Sequence, residues 1–91
     1  MDEITNRWRA LFEISQRGYL NEFSSRSDYW FVIHSVPGGM AIDCPVVAVP
    51  VAEGLIEKGM VKKVGEGHAL EDPSCRLTWY SLPSEADRLR Q

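Results

Sequence analysis

No stretch of this 91-residue chain is long and apolar enough to read as a membrane span. The most hydrophobic run, Cys44 to Ala52, is interrupted by Pro45 and Pro50 and falls far short of the roughly 20 residues a bilayer requires. The start, Met1-Asp2-Glu3, is acidic where a secretory signal carries basic residues and then an apolar run, so no export signal is expected and the chain reads as cytoplasmic. Cysteine is scarce. Cys44 and Cys75 are too few for the framework of a small exported scaffold and are expected as free thiols. No Cys-x-x-Cys or His-x-x-x-His pair is present. The ligand types for zinc, Cys44, Cys75, His34 and His68, therefore lack chelating spacing, and neither a metal nor a cofactor is expected. An excess of basic charge is also missing. Ten Lys and Arg against thirteen Asp and Glu give a net charge of −3, which argues against a general electrostatic grip on nucleic acid or an anionic membrane.

A nucleophilic enzyme would have to be assembled from Ser35 or Cys75, His34 or His68, and Asp28 or Asp72, and nothing in their spacing orders them. Gly65-Glu66-Gly67 is followed by no Lys or Ser/Thr and opens a loop instead of a helix, so it is not read as a phosphate cradle. The chain is expected to be non-enzymatic. Its 44% hydrophobic and 25% charged residues are those of a folded protein, and the length accommodates one domain over 1–91.

Ile4, Trp8, Leu11 and Phe12 recur at helical spacing opposite Arg7, Arg9, Glu13 and Gln16, and Gly18 follows as a stop. An amphipathic helix is predicted over 3–17, its apolar stripe on the core and Asp2 and Glu3 at its positive end. Residues 19–28 mix Leu20 and Phe23 with turn formers and read as a loop or short helical turn. Tyr29 to Val36, dense in aromatic and β-branched residues, reads as a strand ended by Pro37-Gly38-Gly39. Met40 to Pro50, with Ile42 and three valines between prolines, reads as extended or irregular. Pro50 to Gly59 bounds a helix of about nine residues. Met60 to Val64 and Arg76 to Leu82 read as strands of a long-looped hairpin, with the loop over 65–74. Pro83 and Ser84 start a last short helix through Leu89.

The run Ala52-Glu53-Gly54-Leu55-Ile56-Glu57-Lys58-Gly59-Met60-Val61-Lys62-Lys63-Val64, followed by Leu77-Thr78-Trp79-Tyr80-Ser81-Leu82-Pro83-Ser84-Glu85-Ala86, resembles the back half of a winged helix-turn-helix domain over about residues 48–90. The resemblance implies an α+β, winged-helix-like domain. An N-terminal helix and a central helix would pack on a two- or three-stranded antiparallel sheet, with a short C-terminal helix. The central helix would be the recognition helix, and the hairpin the wing.

A DNA reader of that class presents Arg, Lys, Asn or Gln to base edges and basic residues to phosphates. Over residues 42–82 there are instead six acids and four bases. The expected function is therefore that of a small acidic protein acting through protein contacts, as a homodimer or as an accessory or inhibitor subunit. Phage-encoded inhibitors of host nucleoprotein complexes are of this size and charge. The residues expected to meet the partner are Trp30, Glu53, Glu57, Glu71, Asp72, Trp79 and Tyr80, because consecutive aromatics on strands point to opposite faces and some must lie outward. The alternative is a DNA-binding regulator using Lys58, Lys62, Lys63 and Arg76.

Overall fold

Asn6 decides where the first helix begins. Its side-chain oxygen accepts hydrogen bonds from the backbone N–H groups of Trp8 (2.8 Å) and Arg9 (3.2 Å), so helix α1 spans Arg7–Arg17 instead of starting at residue 3. The computed structural model describes residues 3–41 and 43–89; Asp2 and Ile42, assigned above to a helix end and an extended run, lie outside them. The phase of α1 also differs from expectation. Ala10 and Ile14 are its buried residues, and Trp8 and Phe12 face away from the core. Ile4 is buried, but as a strand-like residue ahead of the helix. It pairs in parallel with Val47, its N–H donating to the Val46 carbonyl and its carbonyl accepting from Ala48 N–H, both at 2.8 Å.

Among the described residues, five antiparallel strands follow where two or three were expected: β1 Tyr19–Ser24, β2 Tyr29–His34, β3 Val46–Val47, β4 Lys62–His68 and β5 Arg76–Ser81. They lie in the order β3-β2-β1-β5-β4. The segment expected to be a loop, 19–28, supplies the central strand β1 and a tight turn in which Ser25 N–H donates to the Asp28 carbonyl. Ile4 closes the β3 edge. The β4 edge is blunted by a bulge at Val64 and by Lys62, Lys63 and Glu66, features that discourage pairing with a further strand.

One face of the sheet carries the main core. Leu20, Phe31, Ile33 and Val47 meet Ala10 and Ile14 of α1, and Ala52 and Leu55 of helix α2 (Val49–Glu57). Helices α1 and α2 thus share that face. The opposite face packs Phe23, Val32, Cys44 and Cys75, with Trp30 and Leu77 against them, and is crossed by the β2–β3 connection. The cysteines are buried free thiols.

Helix α2 ends as its sequence predicts. Gly59 has φ +72°, its N–H donates to Ile56 carbonyl, and Met60 N–H reaches back to Leu55 carbonyl at 2.9 Å. This paired closure needs a left-handed residue, which glycine supplies without strain. The order helix, Gly, strand, loop, strand, helix is present over 49–89. β4 nonetheless runs on through Gly65 and Gly67 to His68, where a loop was expected from residue 65. Helix α3 (Pro83–Leu89) packs against β4 and β5. No helix among the described residues is long and apolar enough to cross a membrane.

Candidate protein-contact surface

Because α1 inserts only Ala10 and Ile14 fully into the core, the side chains four residues apart on its far side are left to solvent. Trp8 is 62% and Phe12 60% exposed. At that spacing they stand one above the other on the helix surface. The Arg7 guanidinium lies 4.9 Å from the Trp8 ring centroid, so the indole is flanked by a cation that its electron-rich face attracts. The result is a rigid aromatic ridge with a positive edge. Aromatic side chains lose few torsional degrees of freedom on contact, and for that reason they dominate the energetics of protein interfaces.

Arg7 also edges a groove between the start of α1 and α2. Its volume is about 280 Å³, and Val51, Leu55, Lys58 and Met60 line it together with Arg7. The ridge and the groove adjoin through one residue.

The residues singled out from sequence are distributed differently. Trp30 and Trp79 belong to the sheet face under the β2–β3 connection. Trp30 stacks on Phe23 with centroids 5.2 Å apart and planes within 4°, and the Trp79 indole lies over Gly65. Tyr80 is on the other face, half-buried against the main core. Glu53 and Glu57 are exposed on α2, and Glu71 and Asp72 are exposed in the β4–β5 loop. Asp72 Oδ1 accepts from Ser74 N–H (3.1 Å) and Ser74 Oγ–H (2.5 Å), which gives it a turn-forming role. The seven residues do not share one surface.

The basic set is divided too. Lys62 and Lys63 sit opposite Ser81 and Tyr80, and so point to opposite faces of the sheet. Lys63 Nζ donates to Glu66 Oε2 at 2.8 Å, and this bond and charge hold the Glu66 carboxyl below its ordinary value, with Arg76 and His68 adding to the effect. Arg76 lies across from His68 at the far end of the hairpin. Lys58 follows the last turn of α2. Among the described residues no group of three or more His, Cys, Asp or Glu is placed to hold a metal ion. His34 Nδ1 accepts the Val36 N–H at 2.9 Å.

The α1/α2 face of the sheet also holds one linked acidic and phenolic group. Tyr29 Oη–H donates to Glu22 Oε2 at 2.8 Å, next to Tyr80 and Glu53. Burial, the bond to Glu22 and the nearby carboxylates raise the Tyr29 hydroxyl above its ordinary pKa. Burial, with Glu22 and Glu66, does the same for Tyr80. A phenol whose pKa is higher folded than unfolded favours the fold while protonated, so that contribution is present below the unfolded tyrosine pKa and lost as pH rises above it. Glu22→Gln is expected to bring tyrosine ionisation to lower pH in an absorbance titration; an unchanged curve would mean that Glu22 does not govern it.

No family model, curated protein or solved structure matches the chain.

The residues that sequence reasoning misplaced are Trp8 and Phe12, assigned to the core. Placing Ala10 and Ile14 at the centre of the buried stripe would have turned the aromatics outward, but a stripe weighted by hydrophobicity favours Trp and Phe over Ala.

Proposed function

We propose that this is a small non-enzymatic binding protein of the cytoplasm that acts through protein contacts, as an accessory or inhibitor subunit, with the outer face of α1 meeting the partner. The observation that carries the reading is the exposed pair Trp8 and Phe12 on a helix whose anchorage rests on other residues. The order of α2, β4, β5 and α3 supports a winged-helix-like scaffold put to that use. The DNA-binding alternative is weaker on this surface, because Lys63 is engaged by Glu66 and Lys62 points the other way.

Both aromatic side chains are mostly in water in the free chain. Trp8→Ala and Phe12→Ala are thus expected to move unfolding stability by no more than about 0.5 kcal/mol. Each should weaken a partner complex at least about tenfold, the loss of a contact of roughly 1.4 kcal/mol or more. The measurement is affinity capture from the native host with nuclease treatment, followed by titration of the purified partner against each variant. Capture that depends on intact nucleic acid, or a partner that binds both variants as tightly as the parent chain, would sink this reading.

A further inference from the structure

Gly54 is a costly residue for which the chain itself has no need. It lies inside α2 with an ordinary helical φ, where glycine is less favourable than alanine by about 1 kcal/mol, and a Cβ built on it would meet no atom within 4 Å. Neither a left-handed turn nor close packing within the chain calls for it. It lines the groove between α1 and α2 together with Val51, Leu55 and Met60 and with the cations of Arg7 and Lys58. Neither cation has a carboxylate partner among the described residues.

The complementary chemistry is carried by the β4–β5 loop of the same chain. Leu70 is 102% exposed, a branched apolar side chain held wholly in solvent, and Glu71 follows it with no ion-pair partner among the described residues. Asp72, bonded to Ser74, shapes the turn that presents them. We infer that a second copy of this chain occupies the groove, with Leu70 entering over Gly54 and the Glu71 carboxylate meeting Arg7 and Lys58. Tip and groove are different surfaces, so the contact is head to tail, and an open assembly keeps one free groove at one end and one free tip at the other. The contact shares Arg7 with the α1 ridge but uses neither Trp8 nor Phe12.

Sedimentation velocity on the full chain, from roughly 10 μM to 1 mM, tests it over the range expected for a small interface. The parent chain should sediment faster as concentration rises. Leu70→Ser and Gly54→Gln should each stay monomeric, with thermal melts at or above that of the parent showing that both are folded. Mixed in equal amounts they should form a dimer and nothing larger, because one intact groove then meets one intact tip. Lys58→Glu should weaken association about tenfold, and adding Glu71→Lys should restore it. Phe12→Ser should associate like the parent, which separates this contact from the α1 ridge. A parent chain that is monomeric throughout, single variants that associate as it does, or a mixture that stays monomeric would each overturn the inference.

Discussion

Asn21→Ala is expected to lower unfolding stability by about 3 kcal/mol and to expose Cys44 to thiol reagents under native conditions. Asn21 lies on the central strand with a buried side chain. Its Nδ2 donates to the carbonyls of Val36 (3.0 Å) and Gly39 (2.9 Å), and its Oδ1 accepts from Gly38 N–H (3.1 Å). One amide thus ties the turn after β2 to the sheet. Alanine would leave three partly buried backbone groups without that partner, and an unmade bond at a buried site costs more than the net gain from making it. The segment so released leads directly to Cys44, which packs with Phe23 and Val32. Asn21→Asp is a sharper control. It retains the acceptor for Gly38 but sets a negative charge against two carbonyl oxygens, which raises the folded-state pKa of the new carboxyl. Its deficit should shrink as pH falls and the carboxyl protonates, while that of the alanine variant should not. A denaturation midpoint equal to the parent's, or unchanged Cys44 labelling, would mean that the connection is held by other contacts.

The same residue shows why the central strand was hidden in the sequence. Alternation would have revealed a half-buried strand, but Leu20 and Phe23 point to opposite faces, and between them Asn21 is polar yet buried while Glu22 is half-buried beside Tyr29. Its burial depends on carbonyls about fifteen residues away, which local pattern does not contain. Elements with local determinants were legible. Tyr29–His34 is dense in β-branched and aromatic residues, α2 (Val49–Glu57) has Pro50 in its first turn and Gly59 just past its end, and α3 begins at Pro83. Asn6 was also a local signal, a strong N-cap obscured by the apolar spacing of Ile4 with Trp8. Of the candidate surface, the aromatic and acidic residue types were visible in sequence, but the face each occupies depends on helix phase and strand register. Trp8 and Phe12 changed sides when the phase of α1 was set by Ala10 and Ile14.

Gly65→Ala is the second substitution expected to be severe, at about 2 kcal/mol, through overpacking and without removing any contact. A Cβ on Gly65 would stand 2.8 Å from Trp79 Nε1 and 2.9 Å from Cε2 and Cζ2. Those atoms belong to a rigid ring, so relief requires the whole indole to move. The far edge of the indole faces the β2–β3 turn, where a Cβ on Gly38 would be 3.7 Å from Cε3 and Cζ3 of the same ring. That turn is held to the sheet by Asn21. Gly67→Ala provides the comparison two residues along β4. Its Cβ would meet the indole at 3.7 Å, an ordinary contact, and stability should stay within about 0.5 kcal/mol of the parent. Gly65→Ala combined with Trp79→Leu should cost less than the two single changes added together, because the smaller side chain vacates the space the methyl needs. Additive costs, or equal effects at Gly65 and Gly67, would show that the glycine is not kept for the indole. Gly65-Glu66-Gly67 continues as strand opposite Leu77, Thr78 and Trp79, with the bare backbone at Gly65 as the seat of the indole.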